Sequence, residues 1–274
     1  MRLLLRVLLV IIVLVLIVVF PIGGGFGAGT PCALLSTYDT VLFAHRAGAV
    51  VFPENSFEGV RRAHRLGYDG VELDIHETAD GRFVLIHDDS CQRMLGLNER
   101  VDQLRLDQLR SAHLRLNGAA TDCRIATLDT VLSVFGDSLL FYLDTKITGL
   151  GQSDRLAQLI EAHHALDRTV VATSSIPFLL WLEFRHPEVN TVLEGFDKGE
   201  EWTYGIFPRK FRPDLLSSFA FETDSAHAAW LRAHDLLREK IVYGLDSAAL
   251  ARARALGISR FIVDEGVPRV GGPH

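Results

Sequence analysis

The first half of the chain carries ionisable side chains at or near the ends of short apolar segments. Two segments end in histidine, at His45 and His87, and such a pair can act as general base and general acid near neutral pH. Arg46 and Lys146 add fixed positive charge, which suits an anionic substrate. In chain order, the candidate site residues at these segment ends are His45, Arg46, Glu72, Asp74, His87, Asp144 and Lys146. Their types together predict cleavage of a phosphate ester.

Three carboxylates in this set point to a metal site. Side chains of a strand alternate between its two faces, so Glu72 and Asp74 share one face. Buried carboxylates that lie close together raise one another's pKa, and Asp144, which ends a later segment, adds to that repulsion. A divalent cation removes the conflict, and oxygen ligands favour Ca²⁺ or Mg²⁺ over zinc. The sequence therefore predicts one such cation at these carboxylates and leaves the choice between the two ions open.

A structural explanation competes with this one. Any single histidine or aspartate at a strand end is more often a loop cap or a salt-bridge partner than a catalytic group. Here such residues end four successive apolar segments, and chance is a poor explanation for that convergence. The catalytic interpretation is therefore favoured for the set as a whole.

The segments that carry these residues belong to an alternation of strands and helices. The predicted strands are 41–45, 70–75, 83–87, 139–144, 169–173, 189–193, 241–245 and 260–264. Eight such repeats predict an α/β fold of the TIM (β/α)8 barrel type, with a doubly wound open sheet as the alternative. Residues 88–123 form a predicted insertion after the third strand, and residues 195–214 a predicted long loop. In a barrel, such excursions after strand ends shape the active site.

The amino-terminal residues 1–22 predict a membrane-directed helix. Arg2 and Arg6 precede an unbroken apolar run from Val7 to Phe20, whose length lies between a signal-peptide core and a full membrane span. Arginines on this side predict that the catalytic domain lies on the non-cytoplasmic face. An uncleaved signal anchor is favoured over a cleaved peptide, which would give a secreted protein. Residues 23–40 then form a glycine-rich linker, and residues 41–274 form one barrel domain.

Composition and charge narrow the possible partners. The chain has 274 residues, of which 48% are hydrophobic and 23% charged, and this composition excludes a disordered protein. The net charge is −6, and the first twenty residues hold two arginines and no acidic residue, so the remainder is more acidic still. Nucleic acid is therefore an unlikely partner. The three cysteines allow at most one disulfide, and the sequence does not select a pair.

The order and spacing of the candidate residues resemble the glycerophosphodiester phosphodiesterase family, which belongs to the phospholipase C-like TIM-barrel phosphodiesterases. The resemblance rests on HRAG at 45–48, PENSF at 53–57, GYDGVELDIHETADGRFVLIHD at 67–88 and LDTK at 143–146. It continues through Arg93, IATL at 125–128, TSS at 173–175 and the segment 256–264, and so covers about residues 41–268. A single HD or DG pair means nothing, whereas the ordered series is highly specific.

This resemblance implies a TIM barrel, a divalent cation, and hydrolysis of a glycerophosphodiester to sn-glycerol 3-phosphate and an alcohol. It also implies a role for each residue of the set. The roles are an acid–base pair at His45 and His87 in undecided order, cation ligands at Glu72, Asp74 and Asp144, phosphate clamps at Arg46 and Lys146, and a supporting carboxylate at Glu54.

Three positions depart from the pattern of the family. Ala47 stands where the family usually has glycine, which predicts an altered turn after His45. Asp144 replaces the usual glutamate and shortens that ligand by one methylene. The Trp-Thr-Val-Asn that often ends the seventh strand is Tyr-Gly-Leu-Asp at 243–246, so the pocket on the leaving-group side is expected to differ.

Two alternatives to a glycerophosphodiesterase stay open at the level of sequence. A Glu-x-Asp plus Asp ligand set with two histidines also resembles sphingomyelinase D and lysophospholipase D-like lipid phosphodiesterases, so a lysophospholipid is a second candidate substrate. The departures at Ala47 and Asp144 are compatible with a membrane-tethered binding module that has lost turnover. Retention of both histidines and of the basic residues Arg46 and Lys146 argues against that module.

The predicted long loop carries a further hypothesis. Four aromatic residues there, Trp202, Tyr204, Phe207 and Phe211, are interleaved with charged residues that include Arg209, Lys210 and Arg212. Such a composition is compatible with contact to anionic lipid if the domain is held near a bilayer. The loop is therefore a candidate lipid-contact surface.

Overall fold

Eight parallel strands form a closed barrel. The structure, a computed structural model, describes residues 8–12, 38–264 and 266. The barrel strands are β1 (Val41–Ala44), β2 (Gly70–Glu77), β3 (Leu140–Thr145), β4 (Thr169–Thr173), β5 (Asn190–Glu194), β6 (Leu215–Phe219), β7 (Lys240–Tyr243) and β8 (Arg260–Val263). Each strand pairs with the next, and β8 pairs with β1, which closes the sheet. The predicted TIM barrel is confirmed, and the open-sheet alternative is excluded.

Helices follow the strands on the outside of the barrel. They are α1 (Phe57–Arg65), α2 (Gln92–Leu95), α3 (Leu106–Ser111), α4 (Leu128–Phe135), α5 (Leu150–Ala162), α6 (Ile176–Arg185), α7 (Glu201–Tyr204), α8 (Ser225–Ala233) and α9 (Ser247–Ala255). Several begin at a capping side chain. Ser56 accepts a hydrogen bond from the N–H of Gly59, and Asp246 accepts one from the N–H of Ala249.

Strand side chains alternate between the barrel interior and the helix layer. The apolar residues of the interior are Val41, Phe43, Leu140, Tyr142, Val170, Ala172, Val192, Leu215, Ile241 and Ile262. On β2, Leu73 and Ile75 pack outward with the helices, so Glu72 and Asp74 point inward, where they are only 4% and 1% exposed. Alternation alone thus places two carboxylates inside the barrel.

The predicted third strand, 83–87, is not a barrel strand. Phe83–Leu85 pairs antiparallel with the end of β2, with Ile75 opposite Leu85 and Glu77 opposite Phe83. We call it the return strand. Only five residues separate it from β2, whereas a parallel crossover needs a dozen or more. The return strand carries the chain from the outer end of β2 back to the level of Asp74, and His87 therefore still arrives at the barrel mouth.

The barrel strand that the sequence analysis missed is β6. Its sequence, LLSSF, places two serines in a short segment and so interrupts the apolar pattern. The interruption has a structural role, because Ser217 faces inward and accepts a hydrogen bond from the hydroxyl of Tyr142 at 2.9 Å. The predicted number of eight strands was right, but one of the predicted members was wrong.

Residues 88–123 form an insertion that follows the return strand and therefore lies between β2 and β3. The insertion contains α2, α3 and a small hairpin of Arg115–Leu116 with Ala119–Ala120. It has its own apolar core, which includes the buried free thiols Cys91 and Cys123. Cys32 lies outside the described residues.

The segment 195–214 is more ordered than the predicted long loop. It contains α7 and a 3-10 turn at Arg209–Phe211. Tyr204 is fully buried in a cluster with Leu179 and Leu216, whereas Trp202 is 64% exposed. The buried Tyr204 cannot contact lipid, so that part of the lipid-contact hypothesis is wrong.

Most of the predicted membrane segment lies outside the described residues. Within 1–22, the structure describes residues 8–12, which are helical and exposed. Among the helices of the described part of the chain, none has the length and apolar character required to span a bilayer.

Candidate active site

The chain turns sharply at the carboxyl end of β1. Arg46 and Ala47 have φ values of 47° and 58°, and Gly48 follows at 77°. The left-handed region is unfavourable for residues with a Cβ, so the first two positions store strain. The turn aims the backbone N–H of Arg46 at a carboxylate oxygen of Glu72, at 2.6 Å. This strained turn joins the first strand to the inward face of the second.

Three carboxylates meet inside the mouth of the barrel. Pairing of β2 with β3 places Asp74 directly beside Asp144. Ligand oxygens of Glu72, Asp74 and Asp144 all lie within 4.8 Å of one another. Lys146 bridges the two aspartates, with Nζ 2.5 Å from Asp144 and 3.1 Å from Asp74. Asp74 also accepts a hydrogen bond from the side-chain amide of Asn55 at 2.8 Å.

The electrostatics of this cluster fit a divalent cation. Burial, together with the charge of Asp74, raises the pKa of Glu72 well above its usual value. Burial also raises the pKa of Asp144, even though Lys146 opposes the shift. Lys146 and the guanidinium of Arg46, whose Nε lies 3.5 Å from Asp74, are two cations against three carboxylates. All-oxygen ligands at this spacing are the donors that Ca²⁺ and Mg²⁺ prefer.

Each candidate catalytic histidine is held by a carboxylate. Nδ1 of His45 lies 2.6 Å from Asp264, and Nδ1 of His87 lies 2.7 Å from Asp88. Hydrogen bonds from Arg93 hold the pKa of Asp88 at about 2, and the hydrogen bond with His45 lowers the pKa of Asp264. Both carboxylates are thus acceptors, so Nδ1 is the donor and Nε2 is the nitrogen available to a substrate.

Arg93 connects the two sides of this arrangement. Its guanidinium donates to Asp88 at 2.6 and 3.0 Å and to Glu54 at 2.6 Å. Glu54 in turn accepts from Nη1 of Arg46 at 3.3 Å through both of its oxygens. The insertion residue Arg93 therefore ties the partner of His87 to the first loop.

One cavity of about 300 Å³ collects the candidate residues. Seven of the eight line it, namely His45, Arg46, Glu72, Asp74, His87, Asp144 and Lys146. Glu54 does not line the cavity but supports it through Arg46 and Arg93. The arrangement can hold a phosphate group between the side chains of Arg46 and Lys146, with the two imidazoles beside it.

Comparison with known proteins shows which family this part of the chain resembles. Residues 45–171 match the model of the Glycerophosphoryl diester phosphodiesterase family. A glycerophosphodiester phosphodiesterase from Caldanaerobacter subterraneus is 29% identical over 141 residues, covering 49% of this chain and 58% of the relative. Glycerophosphodiester phosphodiesterase 1 from Homo sapiens is 31% identical over 143 residues, covering 50% and 43%. The matched part therefore spans about half the length of these relatives.

Solved structures of this family share the barrel. A glycerophosphodiester phosphodiesterase from Agrobacterium tumefaciens superposes with a TM-score of 0.70 at 20% identity, covering 82% of this chain and 96% of that one. A phosphodiesterase from Oleispira antarctica, in complex with the product sn-glycerol-3-phosphate, superposes with a TM-score of 0.69 at 16% identity, covering 81% and 92%. At such identities the likeness establishes the fold.

Further residues of the cavity were missed by the sequence analysis, namely Tyr142, Glu194, Phe219 and Ile262. Tyr243 and Gly244 also line the cavity, and they belong to the segment 243–246 at which the sequence predicted a different pocket wall. Glu194 is the last residue of β5 and Asp144 the last but one of β3, so the same strand-end pattern could have identified Glu194. Burial, with the nearby Asp144, raises the pKa of Glu194 to about 8. Phe219 could not be assigned because its strand was not recognised.

The departures from the family pattern have structural counterparts. Ala47 adopts the left-handed conformation that glycine tolerates best. Asp246, the last residue of the altered Tyr-Gly-Leu-Asp segment, caps α9, whereas Tyr243 and Gly244 line the cavity. The altered end of the seventh strand therefore changes the wall of the cavity on the side of β6 and β7.

Proposed function

We propose that this protein is a divalent-cation-dependent phosphodiesterase that hydrolyses glycerophosphodiesters to sn-glycerol 3-phosphate and an alcohol. The observation that carries the proposal is the pair of carboxylate-held histidines on one cavity with three buried carboxylates. The name of the Caldanaerobacter relative and the product bound in the Oleispira structure support the same substrate class.

The residues of the cavity divide the work of this reaction. Arg46 and Lys146 place positive charge beside the phosphodiester. A cation held by Glu72, Asp74 and Asp144 would supply further positive charge to the phosphoryl oxygens. Nε2 of one histidine removes a proton from the attacking hydroxyl or water, and Nε2 of the other donates a proton to the departing alcohol.

The carboxylates beside the histidines keep both imidazoles in the tautomer that this scheme requires. Asp88 and Asp264 fix the proton on Nδ1, so each Nε2 enters the cavity as a proton acceptor when its ring is neutral and as a donor when it is charged. The scheme therefore needs one neutral and one charged imidazole at the start, and the two rings exchange roles by the end.

The test is release of glycerol 3-phosphate from glycerophosphocholine with Ca²⁺, with Mg²⁺ and with chelator. Cation-dependent release is expected, and His45→Ala and His87→Ala should each lower kcat by about 10²–10⁴-fold. His163→Ala is the matched control, because His163 pairs with Asp129 on the outside of the barrel and does not line the cavity. Absence of release with every cation would contradict the proposal and favour the binding module.

We also propose that residues 1–22 anchor the protein in a membrane, with the barrel on the non-cytoplasmic side. Arg2 and Arg6 ahead of the apolar run support this orientation. Expression of the full chain followed by alkaline carbonate extraction and external protease treatment tests both points. Recovery in the soluble fraction would contradict the anchor, and protection of the barrel from external protease would contradict the orientation.

A further inference from the structure

Three aromatic rings form a row that leads out of the cavity on the side of β6 and β7. Tyr243 ends β7 and lies 4.5 Å from Phe219, measured between ring centroids. Phe219 ends β6 and stacks on Phe221 at 5.2 Å. Tyr243 and Phe219 line the cavity, whereas Phe221 lies beyond it in the following 3-10 turn. We call these three residues the aromatic strip.

The strip becomes more exposed with distance from the cavity. Tyr243 is partly buried, Phe219 is 45% exposed and Phe221 is 67% exposed. Large aromatic side chains at a catalytic mouth leave apolar surface in water, which has a cost unless a ligand covers it. Further exposed apolar residues follow strand ends at the same end of the barrel, namely Val50 and Val51 after β1 and Ile176 at the start of α6.

The position of the Phe219 ring depends on a glycine. Gly244 has a φ of 68°, and a Cβ at this position would lie 2.9 Å from Cδ1 of Phe219. The glycine therefore accommodates the ring against the end of β7. This is the segment at which the chain departs from the usual Trp-Thr-Val-Asn of the family it resembles, so the altered wall and the strip are the same feature.

The form of the strip favours an extended apolar ligand over a cationic headgroup. Recognition of a quaternary ammonium uses rings that enclose it, whereas here Phe221 stacks on Phe219 at an interplanar angle of 23° and Tyr243 is tilted by 56° to Phe219, so the rings pack on one another. The carboxylate next to the outer ring, Glu222, is 3.9 Å from the ammonium of Lys198, which also donates to the carbonyl of Phe221. That carboxylate is already paired, and the ammonium would repel a second cation.

We propose that the aromatic strip binds the acyl chain of a monoacyl glycerophosphodiester, a lysophospholipid, while its phosphodiester occupies the cavity. The inference rests on the proposed function, and it assigns Tyr243, Phe219 and Phe221 as residues that determine specificity. The oxygen of a water molecule would form a bond to phosphorus while the bond between phosphorus and the headgroup oxygen breaks. One histidine would take a proton from the water, and the other would donate a proton to the departing oxygen. The products are monoacylglycerol phosphate and the free alcohol.

The experiment compares glycerophosphocholine with lysophosphatidylcholines of increasing acyl length, all below their micellar concentrations. In the native protein, kcat/KM is expected to rise about twofold per methylene, as for a partly buried chain. Phe221→Ala should lower the ratio of kcat/KM for the acylated over the deacylated substrate by about tenfold. Phe184→Ala is the matched control, because Phe184 is 61% exposed but packs on Trp181 and Phe211.

Several outcomes would overturn the proposal. One is a kcat/KM that does not depend on chain length, and another is a ratio in Phe221→Ala that stays within twofold of the native value. Calorimetric binding of a non-hydrolysable alkyl phosphonate diester, measured in chelator, separates the strip from catalysis. If no substrate is cleaved, the proposed function fails. Binding that weakens in Phe221→Ala but not in Phe184→Ala would still support the strip, and equal binding in both would exclude it.

Discussion

The two sides of the barrel mouth are built differently. On the side of β1 to β3 and the return strand, almost every charged group is fixed by a partner, as Arg93 fixes Asp88 and Glu54. On the side of β6 and β7, the wall consists of the aromatic strip, whose rings are partly open to solvent. This difference is what the two proposals require, because the catalytic groups of the first side need a precise geometry, whereas the second side would contact the variable part of the substrate.

The largest effect on activity is expected from a change in the carboxylates on the side of β1 to β3 and the return strand, which we call the charged side. Asp74→Asn keeps the size of the side chain but removes one negative charge from the cluster. If a cation held there contributes several kcal/mol to stabilising the transition state, as we propose, kcat should fall by about 10³-fold. Isothermal titration with Ca²⁺ or Mg²⁺ should show weakened binding.

Glu222→Gln is the matched control for this change, because it removes a carboxylate that pairs with Lys198 beside the aromatic strip. Native cation binding in Asp74→Asn would show that Asp74 is not a ligand. Equal losses of cation affinity in the two variants would remove the distinction between the two sides.

The next effect concerns the carboxylates that hold the histidines. Asp88→Asn should lower kcat by about 100-fold and Asp264→Asn by about tenfold, within the range known for partners that orient a histidine. The difference arises because Arg93 fixes Asp88, whereas Asp264 is 68% exposed. Both variants should also shift the pH profile of kcat, which a merely structural defect would not do. Equal losses, or an unchanged pH profile, would contradict this ranking.

A smaller effect, on the stability of the fold, is expected at the first residue of β7, where a lysine is fully buried. Lys240 donates to the carbonyl of Phe196 at 2.6 Å, and burial lowers its pKa from 10.5 to about 7. Between about pH 7 and 10.5 the unfolded lysine binds a proton that the folded one does not, so this residue makes stability rise with pH in that window. Below about pH 7, where both forms of the lysine are protonated, its lowering of the free energy of unfolding reaches its full size.

Lys240→Met tests this dependence. Relative to the native protein, its Tm should be higher at pH 6 than at pH 9, by a difference of roughly 5 °C. The comparison between the two proteins cancels other titrating groups, such as Glu183, whose pKa burial raises to about 8. A pH-independent difference in Tm would show that the ammonium is not the cause.

The sequence predicted the charged side better than the aromatic side. Strand-end residues such as Asp74 and Asp144 follow from alternation and parallel pairing, so they could be placed together before the fold was known. Asp264 was missed as a partner of His45 because 219 positions separate them and the contact exists only after the barrel closes. Phe219 was missed because Ser217 and Ser218 interrupt the apolar pattern of its strand.

The topology of the return strand shows a second limit. The apolar run at 83–87 correctly predicted a strand that brings His87 to the site, but an apolar run does not distinguish a barrel strand from an antiparallel neighbour. The short connection from β2 contained the missing information. Separation along the chain was therefore as informative as the composition of the segments.

The smallest effect is expected at the strained turn of the charged side. Ala47 has a φ of 58° and is buried, and its carbonyl oxygen lies 2.9 Å from the position that a Cβ on Gly59 would take. Ala47→Gly relieves a left-handed strain of about 1–2 kcal/mol, but it loses a buried methyl group and increases the freedom of the unfolded chain. We therefore expect a gain in unfolding free energy of about 0.5 kcal/mol, measured by urea denaturation.

Gly48→Ala provides the opposite change in the same turn. Gly48 has a φ of 77°, so an added Cβ should introduce strain and lower the unfolding free energy by about 1 kcal/mol. If strain in the turn were unimportant, both substitutions would act through methyl burial alone, and Ala47→Gly would be the destabilising one. A loss of stability in Ala47→Gly would therefore show that burial of the methyl group and the greater freedom of the unfolded chain outweigh the backbone strain at Ala47.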